Sequence, residues 1–232
     1  MKKVSSAKTV RWMVVGMLML VLVTDALAEG ASRREERRKQ LPVEKLKVRL
    51  EDPKTIQRKQ PDKVIDAWGV KKGETVADVG AGTGTFSFRL AERVGVEGKV
   101  YAVEIEDYLL NYLREKIEKN GVTNVIPVKS SDSGPNLPVA SCDKILLVSS
   151  YEYLPNAVAF MNNARKALKP GGSVAIVALD AHKVKVKRKL TLRDKLYTAG
   201  EVVEEMKQAG FVLRESHDFL KTYLFLVFDL AK

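Results

Sequence analysis

The chain has 232 residues, of which 45% are hydrophobic, so it is long enough to bury the core of one domain and to carry an extension. Its formal net charge is +11, but residues 1–50 hold 12 Lys and Arg against 5 Asp and Glu, which leaves only +4 for the rest. The single cysteine, Cys142, excludes an intramolecular disulfide. With only two histidines, we predict no metal site and no histidine-based triad.

The amino terminus has the pattern of a secretory signal peptide. Four positive residues precede an apolar run over residues 12–23, and Ala26-Leu-Ala28 offers a cleavage site. We therefore expect residues 1–28 to be removed and the protein to be exported to the periplasm. Residues 29–50 are expected to form a charged linker or a loose helix rather than part of the core. The positive charges of residues 33–49 leave an alternative open, in which residues 12–28 associate with the membrane as an anchor and the domain stays in the cytosol.

The run from Thr75 to Phe86 reads TVADVGAGTGTF and predicts a buried strand, a glycine turn and a helix over residues 85–93. Gly80, Gly82 and Gly84 stand at alternate positions, so the backbone there can approach a ligand closely and adopt positive φ. The start of the helix directs its unpaired N–H groups at the same place. This arrangement is typical of a site for a nucleoside-bearing cofactor.

The glycine spacing and an acid before the turn indicate which cofactor it is. A dinucleotide fingerprint would place its third glycine at Thr85, but here that glycine comes one residue earlier. Asp78 would repel a pyrophosphate and suits a cationic ligand such as S-adenosylmethionine, which carries a sulfonium and an amino group. On these residues the chain resembles the class I S-adenosylmethionine-dependent methyltransferases, over roughly residues 51–232.

The resemblance implies a set of cofactor-binding residues after three successive strands. Glu104, near the end of a predicted strand over residues 100–105, would bind the ribose hydroxyls. Ile105 would lie against the adenine, and Ser131 and Asp132, after a strand over residues 124–129, would contact its amino group. The implied cofactor is S-adenosylmethionine, and the full predicted set is Asp78, Gly80, Ala81, Gly82, Thr83, Gly84, Glu104, Ile105, Ser131 and Asp132.

The remaining elements predict an α/β fold with a doubly wound, mostly parallel sheet. Strands are expected at residues 142–148 and 173–179, helices at residues 156–168 and 198–209, and a hairpin at residues 211–216 and 223–230. The resemblance implies seven strands, with an antiparallel C-terminal strand in a Rossmann-like methyltransferase domain spanning residues 51–232. A helix is predicted to begin at Pro61, since proline favours the first helical position.

Candidate catalytic residues follow the fourth strand. In-line transfer of a methyl group needs chiefly correct positioning, and an alcohol acceptor would also need a general base. Glu152 is the candidate base, and Tyr151 and Tyr153 are candidate walls or hydrogen-bond donors, although packing tyrosines and a surface acid are equally consistent with the sequence.

The acceptor is less defined than the cofactor. Residues 95–104 are similar to the protein isoaspartate methyltransferases, but that family's substrate-binding pattern is not apparent in residues 51–70. We expect a small-molecule or protein acceptor, which a basic cluster over residues 183–195 would suit if it is anionic, and no specific nucleic acid. The alternative is a non-catalytic descendant of the fold, acting outside the cytosol as a ligand-binding or membrane-associated interaction module.

Overall fold

The structure is a computed structural model that describes residues 43–184 and 196–231, with side chains from residue 47 onward. The predicted signal or anchor segment, residues 1–28, lies outside the described residues, as do most of the charged linker and most of the basic cluster over residues 183–195. Within the described part of the chain, no helix is both long enough and apolar enough to cross a membrane.

Seven α-helices and seven strands are found in the described residues. The helices are α1 (Val43–Glu51), α2 (Pro53–Lys59), α3 (Pro61–Trp68), α4 (Thr85–Val94), α5 (Asp107–Lys119), α6 (Ala157–Arg165) and α7 (Ala199–Gln208). The strands are β1 (Thr75–Val79), β2 (Lys99–Glu104), β3 (Val125–Lys129), β4 (Cys142–Val148), β5 (Leu168–Leu179), β6 (Phe211–His217) and β7 (Tyr223–Leu230). A 3₁₀ turn at Tyr151–Tyr153 follows β4.

The strands form one sheet in the order β3-β2-β1-β4-β5-β7-β6. Strands β1 to β5 pair in parallel, whereas β7 pairs antiparallel with both of its neighbours. This confirms the predicted fold class: a mostly parallel, doubly wound sheet with an antiparallel C-terminal strand. Because the carboxyl ends of the parallel strands meet at one edge, the segments that follow them come together there.

The sheet is buried on both faces, as a near-continuous apolar strand predicts. In β4, Ile145 and Leu147 belong to the core on one face, and Leu146 and Val148 belong to the core on the other. Cys142 is a free thiol buried in the first of these cores. These two cores hold the strand ends in fixed positions at the edge of the sheet.

Most predicted element boundaries are correct to within a few residues, but β5 begins earlier than predicted. Leu168 already pairs with Cys142, and a register shift then brings Ser173 opposite Lys144. Gly171 and Gly172, which precede Ser173, are thus part of β5 and accompany an irregularity in its pairing with β4. At the other end of the domain, α3 does begin at Pro61, as the sequence predicted.

Candidate active site

The turn between β1 and α4 requires glycine at its alternate positions. Gly80, Gly82 and Gly84 have φ values of 79°, 57° and 83°, in the left-handed region that glycine favours. A Cβ added to Gly80 would lie 2.4 Å from the Cβ of Ser150, which follows β4. Ser150 is itself held in place, since its Oγ–H donates to the carbonyl oxygen of Val79 over 2.7 Å. The turn therefore presents bare backbone at the carboxyl edge of the sheet.

Glu104 ends β2 beside this turn and faces it. Its Oε2 accepts the backbone N–H of Gly82 over 2.8 Å. Its Oε1 accepts the N–H groups of Ile105 and Glu106 over 2.7 and 3.0 Å. The side chain is 5% exposed, so these three bonds fix the carboxylate and leave further lone pairs able to accept hydroxyl groups. The structure thus brings together the acid and the glycine turn that the sequence placed 22 residues apart.

Asp78 lies at the penultimate position of β1, next to the turn, and is only 2% exposed. Its Oδ2 accepts the hydroxyl of Ser87, in α4, over 2.6 Å. The pKa of Asp78 is raised to about 6, chiefly by burial and in smaller part by the negative charge of Glu104, against the opposing effect of the Ser87 bond. This site therefore favours a positive charge next to Asp78.

The residues predicted to contact adenine follow β2 and β3 and are less buried than Asp78 and Glu104. Ile105 is partly buried, and Asp132 is exposed. Ser131 closes a tight turn with Gly134 through its backbone N–H, at 3.0 Å from the carbonyl oxygen. The preceding residue, Ser130, donates its N–H to the carbonyl oxygen of Glu104 over 3.0 Å, so this turn is fixed next to the ribose-binding candidate.

The three candidate catalytic residues share the 3₁₀ turn after β4 but occupy different surroundings. Tyr151 is buried, and its hydroxyl donates to Oε2 of Glu205 in α7 over 2.8 Å. Burial raises the pKa of Tyr151, and the Glu205 bond adds to this effect. Glu152 is 6% exposed, whereas Tyr153 is 47% exposed. Tyr151 therefore joins the turn to α7, and Glu152 is the buried acid of the group.

A segment that covers this edge of the sheet was not predicted from the sequence. Near the end of α1, Leu50 lies so close to Gly82 that a Cβ added there would be 3.2 Å from the Cδ1 of Leu50. Glu51 accepts hydrogen bonds from Tyr112 and Lys116 of α5 over 3.0 and 2.8 Å. The segment that we call the roof, residues 50–60, is thereby attached to the cofactor turn and to α5.

Two further residues at this edge were also missed. Lys59, the last residue of α2, is partly buried, and burial lowers the pKa of its ammonium group, against the opposing charges of Glu152 and Asp78. Tyr223 is buried at the start of β7, and burial raises the pKa of its hydroxyl. Tyr223 could have been found from the sequence, since an antiparallel strand starts at the edge where parallel strands end.

The described residues give little support for a functional site elsewhere in the domain. A cavity of about 510 Å³ lies outside the turn and is lined in part by Glu51, Ile56, Gly84 and Phe88, but not by Glu104 or Glu152. No group of three or more acidic, histidine or cysteine side chains is placed to hold a metal ion within the described ranges. The predicted acids Asp78, Glu104 and Glu152 lie instead at the carboxyl edge of the sheet.

The fold, together with the glycine turn and the acids at the carboxyl edge of the sheet, defines a class I S-adenosylmethionine-dependent methyltransferase domain. Comparison with known proteins agrees. A family model described as a methyltransferase domain matches residues 70–221. The chain belongs to this family of methyltransferase domains, which confirms the class predicted from the sequence.

Individual relatives are similar over about half of this chain. The chain is 32% identical over 113 residues to a protein-L-isoaspartate O-methyltransferase of Ignicoccus hospitalis, covering 49% of this chain and 51% of that protein. It is 31% identical over 114 residues to a ubiquinone/menaquinone biosynthesis C-methyltransferase of Salmonella arizonae, covering 49% of this chain and 45% of that protein. The chain thus spans about half the length of the curated relatives it matches.

A solved structure is similar over more of the chain. The crystal structure of a S-adenosylmethionine-dependent methyltransferase from Aquifex aeolicus matches with a TM-score of 0.73 and 28% identity, covering 82% of this chain and 98% of that one. These findings support S-adenosylmethionine as the cofactor. The residues present fit it: a bare-backbone turn, a fixed carboxylate for a diol, and a buried acid that favours a cation.

Proposed function

We propose that this protein transfers the methyl group of S-adenosylmethionine to a small-molecule acceptor bound beneath the roof. The single observation that carries the proposal is the pairing of Glu104 with the Gly82 N–H inside a turn that tolerates no side chain at Gly80. A turn of bare glycine backbone lets a ligand approach closely, and an acid buried beside it is uncommon among carboxylates.

The cofactor-binding roles follow from the positions of the side chains. Glu104 accepts the two ribose hydroxyls, and Asp78 faces the cationic part of the ligand. Ile105 covers the adenine, whose amino group lies toward Ser131 and Asp132. When bound, S-adenosylmethionine supplies a methyl group already activated on a sulfonium. The protein's main contribution is then to hold the acceptor in line with that methyl group.

Glu152 is the proposed general base. It lies at the carboxyl end of β4, between the cofactor turn and β5 in the order of the sheet, and it is buried. Its carboxylate would take the proton from an acceptor hydroxyl as the hydroxyl oxygen forms its new bond. Tyr223 contributes a buried wall, and we assign no proton transfer to Tyr151, whose hydroxyl is bonded to Glu205.

The roof favours a small acceptor over a folded protein. Leu50 lies against the turn, and Glu51 is hydrogen-bonded to Tyr112 and Lys116 of α5, so an acceptor group must fit beneath this segment. The relatives do not decide the matter, because they include both a protein methyltransferase and a quinone-biosynthesis enzyme. The non-catalytic alternative is not favoured, since the cofactor turn and Glu104 are intact.

A transfer assay tests the proposal. The full chain is incubated with tritiated-methyl S-adenosylmethionine and host extract separated into small-molecule and protein fractions, and we expect label in the small-molecule fraction. Glu152→Gln should reduce transfer about 100-fold or more while binding S-adenosylhomocysteine normally. Glu115→Gln, an exposed site on α5, is the matched control and should leave transfer unchanged.

Each outcome of this assay bears on a different part of the proposal. Full activity in Glu152→Gln would remove the assignment of the base. Label confined to proteins would overturn the small-molecule acceptor. A protein that binds the cofactor and labels neither fraction would overturn the enzyme itself.

A further inference from the structure

The turn that carries Glu152 is a short piece of 3₁₀ helix after β4. Two backbone bonds, of 3.1 and 3.2 Å, close it, in which Tyr153 and Leu154 donate their N–H groups to the residues three positions before them. A 3₁₀ turn is a weak element on its own, because its hydrogen bonds are poorly aligned. The position of Glu152 therefore depends on the side chains that fix this turn to its neighbours.

Tyr151 fixes the turn to α7 and to the residues just before that helix. Its hydroxyl donates to Oε2 of Glu205 over 2.8 Å. Its ring meets the ring of Tyr197 edge-on, with the centroids 5.2 Å apart and the planes at 66°. Tyr151 is fully buried, and a hydrogen bond from a hydroxyl to a carboxylate is roughly twice as strong as a bond between neutral groups. These contacts therefore hold the side chain that precedes Glu152 in one orientation.

Helix α7 is itself attached to the carboxyl edge of the sheet. Tyr197 donates its N–H to the carbonyl oxygen of Leu179 over 3.2 Å, and its own carbonyl oxygen accepts the N–H of Ala181 over 2.9 Å. A capping box then starts the helix directly after Tyr197. Because β5 lies next to β4 in the sheet, α7 is anchored to the strand beside the one that leads into the Glu152 turn.

A general base works only if its carboxylate is placed accurately. A misplacement of about 1 Å at a catalytic group can cost about 100-fold in rate. Tyr151 and Glu152 are adjacent in a turn with about three residues per revolution, so a shift of one side chain displaces the other. We propose that Glu205, acting through Tyr151, is a positioning residue for Glu152. This inference rests on the proposed function and gives α7 a part in the methyl transfer.

Variants of the full chain separate positioning from a role in stability alone. We measure the transfer of tritiated methyl to the small-molecule fraction of host extract, and beside it the affinity for S-adenosylhomocysteine. Tyr151→Phe and Glu205→Leu should each lower transfer about 10-fold or more and leave that affinity within about twofold of wild type. Glu205→Gln should stay within about threefold of wild-type transfer, because its amide oxygen still accepts the hydroxyl. Glu204→Leu, at an exposed position on α7, is the matched control and should change neither quantity.

A double variant tests whether the effect passes through Glu152. In a Glu152→Gln background, Tyr151→Phe should lower the remaining transfer by less than about twofold, because no base is left to position. An equal fractional loss in both backgrounds would show that Tyr151 acts only on the fold and would overturn the inference. Full transfer in Glu205→Leu, or equal losses in Glu205→Leu and Glu205→Gln, would overturn it as well.

The failure of the proposed function has a different signature. Full transfer in Glu152→Gln would remove the proposed base, and its positioning with it. A wild-type protein that transfers no label would overturn the enzyme itself and this role together. Melting temperatures of the variants exclude misfolding as a cause of lost transfer.

Discussion

At the scale of the residue, we expect the buried negative charge of Asp78 to favour ligand binding and to lower the stability of the folded protein. An aspartate in the unfolded chain has a pKa of 3.8, whereas burial raises that of Asp78 to about 6. Between these values the folded protein holds a proton that the unfolded chain has lost. Stability therefore falls as the pH rises from about 4 to about 6, and the full cost of the buried charge is present above that window.

Replacing this charge should stabilise the protein and weaken its ligand. We expect Asp78→Asn to raise the free energy of unfolding at pH 7 by about 2 kcal/mol, because the buried charge is removed while Ser87 can still donate to the amide oxygen. At pH 4 the gain should nearly vanish. Urea denaturation at the two pH values measures both quantities. Equal gains at both would show that the charge is not the cause.

The same replacement should reduce the affinity for S-adenosylmethionine. Wild-type affinity should also fall as the pH decreases below about 6, since protonated Asp78 no longer attracts a cation. Asp78→Asn should lack this dependence, which a binding titration at several pH values would measure. A wild-type affinity that does not change between pH 7 and pH 5 would contradict the role of Asp78.

Sequence reasoning found the residues of the turn because they are contiguous. The glycines and Asp78 fall within one strand and one turn, so local spacing was enough. The surroundings of Tyr151 could not be predicted in this way, because its partner Glu205 comes 54 residues later. Leu50 reaches the turn from a helix before the first strand, where no motif marks it.

At the scale of the element, the turn between β1 and α4 can be tested against a matched glycine. Gly82 and Gly121 have similar φ values of 57° and 61°, but only an added Cβ at Gly82 meets another atom, from Leu50. Leucine at either position should cost about 1–2 kcal/mol in backbone strain. Only Gly82→Leu should abolish binding of S-adenosylmethionine in a calorimetric titration. Equal binding by the two variants would show that the ligand lies elsewhere.

The elements differ in how well the sequence predicted them. Strand β4 has the bounds that were predicted, because its apolar run ends at polar residues on both sides. Helix α2 was not predicted, and the segment of α1 was predicted only as a linker or a loose helix, since both charged sequences lack apolar periodicity. They are fixed instead by tertiary contacts, such as Glu51 with Lys116 and Gln60 with Phe219, which involve residues 65 and 159 positions apart.

At the scale of the whole molecule, the alternation of strands and helices was sufficient to predict the sheet, but not the roof that covers one edge. We propose that the roof limits which acceptor can enter, and the substrate is the part of the function that sequence patterns left open. A large acceptor would require residues 50–60 to move.

Residues 1–28 carry a separate prediction about location. We propose that this segment is a signal peptide and that the domain acts outside the cytosol. Amino-terminal sequencing of the protein from its native host should then begin at Glu29, because small residues precede that position. An intact Met1 in the membrane fraction would support the anchored alternative instead.

The central claim is that the glycine turn and Glu104 bind S-adenosylmethionine. Calorimetric titration of the full wild-type chain with S-adenosylmethionine, beside Glu104→Ala, tests it most directly. The account predicts one binding site per chain and an affinity at least about tenfold weaker in the variant, because two ribose hydroxyls lose their acceptor. No heat from the wild-type protein at millimolar ligand, or equal affinity in the two proteins, would contradict it.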